Sequence, residues 1–246
     1  MSPSRKARGS STSRRRPGSG QTQASRGSAS AGRRRAGGSA EGKPSTADRI
    51  LDAALVSFAN RGYDASSLDA LAVGLEVRKQ TILYWFPSKE RLLEAVVDRS
   101  AAELSAVLEE ALDGAGSGFA RVEAVVRSVF RLAARRPELL GLLREMGRLG
   151  SPAATRFVEA MDPLVQRATE FLEAEMAAGT MRRHEPRLLL LAIYSTVIGM
   201  VTEVEVLRAL GEEPTARSLV RRRTELLELL RSALLTADAP RGTRRG

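Results

Sequence analysis

From about residue 46 to residue 236 the chain repeats apolar positions with a helical period. Ile50, Ala54 and Phe58 recur every fourth residue, as do Leu104, Leu108 and Leu112, which places each set along one face of a helix. No stretch alternates with the period of a half-buried strand for more than a few residues. Glycine and proline cut the pattern at Gly62, Gly74, Pro87, 114–118, Pro137, 150–152, Gly179, Pro186, Gly211 and Pro214, the usual marks of helix ends. The segments between them predict an all-α fold of about nine helices. Pro163 lies inside the segment 152–178 and should kink it or start a new turn. The segment 187–210 is apolar nearly all round at its start, as expected of a helix buried on every side. Its uncharged run, 188–202, is 15 residues long; crossing a bilayer takes ~20, so no membrane association is expected.

Charge changes the picture at the N-terminus. Residues 1–45 hold 11 Lys and Arg against one acid, Glu41, which is the whole of the net +10; the remainder holds 28 of each sign. This first segment has no large apolar residue after Met1, so it cannot bury enough surface to offset its ordering entropy. It should be a disordered basic arm. Its clusters Arg14–Arg16 and Arg33–Arg35 suit nucleic-acid phosphates without sequence preference; the alternative is a solvated tail of no specific role. Residues 237–246 form a second, shorter tail of the same kind. There is no cysteine, so disulfides and thiolate metal sites are excluded. No apolar stretch follows the basic N-terminal residues as a secretory signal would require. Both points fit a cytoplasmic, nucleoid-associated protein. A single histidine, His184, in a polar loop leaves nothing for the common catalytic triads or His-rich metal sites. The carboxylates lie at salt-bridge spacings, as Glu90 and Glu94 do beside Arg91. No catalytic residue, metal or cofactor is expected.

The segment 48–93 is the informative one. A first helix over about 47–60 stops at Arg61-Gly62. Ser66 and Ser67 offer N-caps for a second helix over 68–73, Gly74-Leu75-Glu76 makes a turn, and a third short helix covers 78–85. Phe86-Pro87 breaks it, and Ser88 caps a long fourth helix with Glu90 and Arg91 in its first turn. Two short helices joined by a tight turn containing glycine are the helix-turn-helix pattern. In that motif the start of the second helix of the pair meets base edges in the major groove. Here that start offers Arg78, Lys79, Gln80 and Thr81; Arg and Lys suit guanine acceptors and Gln suits adenine. Val77 and Ile82 would face the core. The alternative for Arg78 and Lys79 is a solvated helix start.

The run 50–55 (Ile-Leu-Asp-Ala-Ala-Leu), Phe58, Arg61-Gly62-Tyr63, Leu71-Ala72, Val77, Thr81-Ile82, Phe86-Pro87-Ser88-Lys89-Glu90 and Leu92-Leu93 resembles the TetR family of bacterial repressors. The resemblance is strong over about 50 residues and rests on helix number and length alone beyond them. It implies a homodimer in which the first three helices bind double-stranded DNA and the fourth links them to a sensing domain. The last two helices form a four-helix bundle with the partner, and a small-molecule effector weakens operator binding by moving the fourth helix. By the same resemblance Arg78, Lys79, Gln80 and Thr81 fall on base-reading or groove-facing positions. Tyr84 and Trp85 fall on positions that pack against the sugar-phosphate backbone, and Lys89 on one that meets phosphate. Ser67, at a helix start, is either a plain cap or a phosphate contact; Trp85 is otherwise core. Three positions depart from the family pattern: Glu76 stands where glycine is usual in the turn, Leu83 where tyrosine is usual, so that a contact there becomes apolar, and Asp69 where a basic or polar residue is common.

The expected organisation is therefore a basic arm (1–45), a helix-turn-helix domain (46–93) continuing into a linker helix to about 113, a helical ligand-sensing and dimerisation domain (114–236), and a tail (237–246). In the sensing domain helices are expected over about 119–135, 138–148, 152–178, 187–210 and 215–235. Phe130, Met146, Phe157, Met161 and Phe171 are candidates for an apolar effector pocket, the alternative being ordinary core. Tyr194, Val197, Val201, Leu226 and Leu230 are assigned to the dimer contact. The function expected is a sequence-specific transcriptional regulator, a ligand-released repressor on a palindromic operator. The alternative is a sequence-tolerant architectural DNA-binding protein that uses its arginine-rich arm.

Overall fold

A computed structural model describes residues 44–150 and 152–236. Within them lie ten helices and no strand: α1 (Thr46–Arg61), α2 (Leu68–Leu75), α3 (Lys79–Trp85), α4 (Lys89–Asp113), α5 (Phe119–Arg135), α6 (Pro137–Leu149), α7 (Ala153–Ala177), α8 (Pro186–Thr202), α9 (Val204–Ala209) and α10 (Ala216–Leu234). Residues 1–43 of the expected arm and the tail at 237–246 lie outside the described residues. No described helix is long and apolar enough to cross a membrane.

Local chemistry sets the helix ends. Ser45 opens α1 with a capping box, its hydroxyl accepting from the Asp48 N–H while the Asp48 carboxylate accepts from the Ser45 N–H. The same serine bonds hold the Asp48 carboxyl below the usual carboxylate range. Ser67 caps α2, Ser88 caps α4 and Thr215 caps α10. One expectation changes. The helix expected over 187–210 breaks at Glu203 into α8 and α9, giving ten helices among the described residues where about nine are expected. α7 runs through Pro163 as one helix. In the single chain α8 leaves apolar residues exposed, Leu188 at 66% and Leu191 at 56%, on the side where a partner chain is the expected cover.

Two cores form. The first joins Ile50, Ala54 and Phe58 of α1 to Ile82 of α3, Leu92 and Val96 of α4, and Leu139 and Leu142 of α6. Phe58 and Ile82 are fully buried in it, and truncating such an aromatic to alanine costs ~3–5 kcal/mol. This core crosses position 93, so α1–α3 and α6 share one packed interior. The second core joins Phe119, Val126 and Phe130 of α5 to Leu172 of α7, Val197 of α8 and Leu226 of α10.

Candidate nucleic-acid interface

The helix α3 sits on a fixed turn. α2 ends in a Schellman arrangement: the Glu76 N–H bonds the Val73 carbonyl and the Val77 N–H bonds the Ala72 carbonyl at 3.0 Å. Glu76 takes the left-handed conformation this requires (φ 58°, ψ 39°) and is the one non-glycine residue with positive φ among the described residues. Gly74, expected in the turn, stays inside α2. Glutamate thus occupies the position where glycine carries no steric cost.

Beyond the turn, Arg78 is the N-cap of α3. Ile82 is locked into the core and Val77 packs half-buried against it. With Ile82 inward, Arg78 and Gln80 are exposed, and Lys79, Thr81 and Leu83 are half-buried. Tyr84 is 79% exposed and Trp85 46%, with their rings edge-on at 5.5 Å; they form a surface pair and not core. Ser67 is exposed at the head of α2, its hydroxyl accepting from the Ala70 N–H at 3.1 Å. Of the expected contact residues, Ser67, Arg78, Gln80, Tyr84 and Trp85 are exposed, and Lys79, Thr81, Leu83 and Lys89 are half-buried. Asp69 is neutralised in place: Lys79 Nζ lies 2.8 Å from its carboxylate. Lys79 is correspondingly engaged before any DNA arrives.

Tyr63 ties this unit together. Its ring stacks edge-on against Phe58 at 5.4 Å, and its hydroxyl donates to Glu90 at 3.3 Å. Burial, and then the Glu90 charge, push that hydroxyl up to about 12. Lys89 Nζ sits 4.1 Å over the ring and donates to the Asp64 carbonyl. The Lys89 ammonium is thus directed onto the α1–α2 loop, in a cation–π contact.

The same loop is held from behind by α6. Gly141 lets α6 approach α1 so closely that a Cβ there would stand 3.1 Å from Cβ of Ala59. One turn on, the buried Glu145 carboxylate accepts from the Tyr63 N–H at 2.7 Å and from Arg148, which also reaches Asp64 at 3.1 Å. The Arg148 hydrogen bond, and then the Tyr63 N–H, hold the Glu145 carboxyl below its ordinary range despite burial. Sequence reasoning missed Glu145, Arg148 and Gly141. A Glu–Arg pair three residues apart looks like any solvated helix face, and nothing local marks its long-range partner.

Behind α6 lies a cavity of about 850 Å³ walled by α4, α5, α6, α7 and α8, within the size range of small-molecule sites. The expected Met146, Phe157, Met161 and Phe171 all line it. Phe130 does not: it is buried in the second core, one turn beyond Val126, which borders both that core and the cavity. Leu104, Leu108 and Leu112, whose spacing identifies α4 as a helix, also form one wall.

The residues expected at the dimer contact divide. Val197, Leu226 and Leu230 are buried in the chain's own second core, and Val201 is half-buried against both cores. None of these four presents a free surface. Tyr194 is 43% exposed and, with Leu191, lines the open side of the cavity, while Leu188, one turn before Leu191, is exposed outside it. Heptad-like leucines mark a buried face without saying whether the burying partner is the same chain or another.

Residues 50–96 match the family model described as bacterial regulatory proteins, tetR family. The chain is 32% identical over 91 residues to the transcriptional repressor KstR of Mycolicibacterium smegmatis, covering 37% of this chain and 45% of that protein; it thus spans under half of that relative's length. Two solved structures share the fold. Bacillus subtilis FadR in complex with stearoyl-CoA aligns with a TM-score of 0.63 and 21% identity over 75% of this chain and 97% of that one. AibR in complex with isovaleryl coenzyme A and operator DNA aligns with a TM-score of 0.63 and 17% identity over 74% and 96%.

Proposed function

Because its residues 50–96 make the chain a member of the tetR family of bacterial regulatory proteins, and so a helix-turn-helix regulator of transcription, we propose that it is a ligand-released repressor that binds a palindromic operator as a homodimer. The observation that carries this reading is the presentation of α3. Arg78 and Gln80 stand bare on the surface while Ile82 beneath them is fully buried, so the base-reading turn is held rigidly by the core. Dimerisation is supported by the exposed apolar residues Leu188, Leu191 and Tyr194 on α8, the last two at the open side of the cavity. A two-fold pair would present two reading heads, and a palindromic site answers that symmetry.

Release follows from the shared position of α6. Met146 and Gly147 face the cavity, and Glu145 and Arg148 grip the Tyr63–Asp64 loop. A molecule that fits the cavity only when α6 has shifted favours a state in which the reading head is displaced. It weakens DNA binding by its differential affinity for the two states. KstR is a repressor by name, and AibR has been seen with both an acyl-CoA and operator DNA; this chain is proposed to work alike.

The test is selection of binding sites from random double-stranded DNA with the full chain. An inverted repeat lost on scrambling supports the reading. Equal retention of scrambled DNA would replace it with sequence-tolerant, arm-driven binding.

A further inference from the structure

The charges around the cavity are confined to one end of it. Its charged lining residues are Asp113, Arg121, Arg167 and Arg187, three cations and one anion. They lie where α4 ends, where α5 and α8 begin and on α7 beside Asp113, the end away from α6. Arg167 reaches Asp113 only at 3.8 Å. Arg121 donates to the Gly116 carbonyl and lies 5.3 Å over the Phe171 ring. Arg187 has no hydrogen bond or ion pair among the described residues. From this rim the cavity runs along α4 to Leu104, ~14 Å at the helical rise. It ends against Leu140, Leu143 and Met146 of α6. The deep end offers no charged side chain, and a polar group placed there without a partner would lose its hydration uncompensated.

We propose that the effector is an acyl amphiphile: an extended apolar chain lying along α4 with its tip on α6, and an anionic head among Arg121, Arg167 and Arg187. This rests on reading the cavity as the effector site. The head is a carboxylate or the phosphates of a thioester carrier, since guanidinium groups bind both in the same way. Sugars and free nucleotides have no apolar part for the deep end, and cationic ligands meet an excess of two positive charges at the rim.

Binding to the full chain is measured by calorimetry below micelle concentration with four probes sharing one long acyl or alkyl chain: the fatty carboxylate, its CoA thioester, its methyl ester and the alkyl trimethylammonium. The carboxylate or the thioester should bind at least about tenfold more tightly than the other two; whichever wins identifies the source of the head. In the double variant Arg121→Glu, Arg187→Glu that order should invert in favour of the ammonium, a gain that a misfolded protein cannot produce. Val125→Trp, which fills the cavity, should abolish binding of all four. Equal binding of all four probes, or an unchanged order in the double variant, overturns the proposal. Release of operator DNA is followed separately. Acyl binding without release sinks the repressor mechanism and leaves the ligand assignment standing, whereas retained DNA binding with no acyl binding sinks the assignment alone.

Discussion

The carboxylate of Glu145 accepts the backbone N–H of Tyr63 at 2.7 Å, joining residues 82 positions apart in the chain. It is the one polar bond to a buried side chain that ties α6 to the loop feeding the helix-turn-helix. Its neighbour Met146 lines the cavity, so the two sides of α6 meet different regions of the molecule.

Glu145→Ala leaves the Tyr63 N–H without its acceptor and should lower stability by ~1–3 kcal/mol. Glu145→Gln keeps an acceptor for Tyr63 but loses the charge against Arg148, and should fall between. Because the folded state depresses this carboxyl, the stabilisation is fully present above its ordinary value of 4.5 and fades as pH falls through the lower folded value. Urea denaturation at pH 7 and in the acid range should show the gap between wild type and Glu145→Gln closing with acid. A gap that stays constant would remove the ion-pair explanation.

Asp69 holds Lys79 at 2.8 Å with both side chains well exposed, 69% and 42%. Such a pair contributes little to stability, ~0–1 kcal/mol, yet it places an acid beside the DNA-reading face. Asp69→Asn should leave the melting temperature nearly unchanged and raise DNA affinity several-fold at low salt, with the advantage shrinking as salt rises. A weaker complex would mean that Asp69 positions Lys79 for its contact. Lys79→Ala with Thr81→Ala should reduce discrimination between operator and scrambled DNA, each lost base contact being worth ~1–3 kcal/mol.

Glu76 carries the left-handed turn between α2 and α3 (φ 58°). Glu76→Gly relieves that conformation at some cost in unfolded-state entropy, and the balance should be a gain of ~0.5–1 kcal/mol. Thermal unfolding checks it. A loss of stability would show that the Glu76 side chain makes a compensating interaction in solution.

Leu188 stands exposed on α8 outside the cavity, and Leu191 beside it is exposed at the cavity's open side. Leu188→Glu should leave the helical spectrum intact and shift sedimentation from dimer to monomer, with loss of tight binding to an inverted repeat. Leu226→Glu should unfold the sensing helices instead, because Leu226 lies wholly inside the second core. If the α8 variant remains dimeric, the interface lies elsewhere.

The sequence by itself determined what depends on short range. The period of Ile50, Ala54 and Phe58, the caps at Ser67 and Ser88, and the breaks at Gly62 and Pro87 place nearly every helix, because helix signals act within a few residues. The pattern around 78–89 also marked the short helix α3 and its inward Ile82, since one buried residue determines which way so short a helix turns. Tertiary structure decided what depends on distant neighbours. Whether Phe130 or Val125 meets the cavity, whether Leu226 packs on its own chain or on a partner, and that Glu145 grips Tyr63 are settled by how helices are brought together. An apolar period states that a face is covered, and only the packed fold states by what.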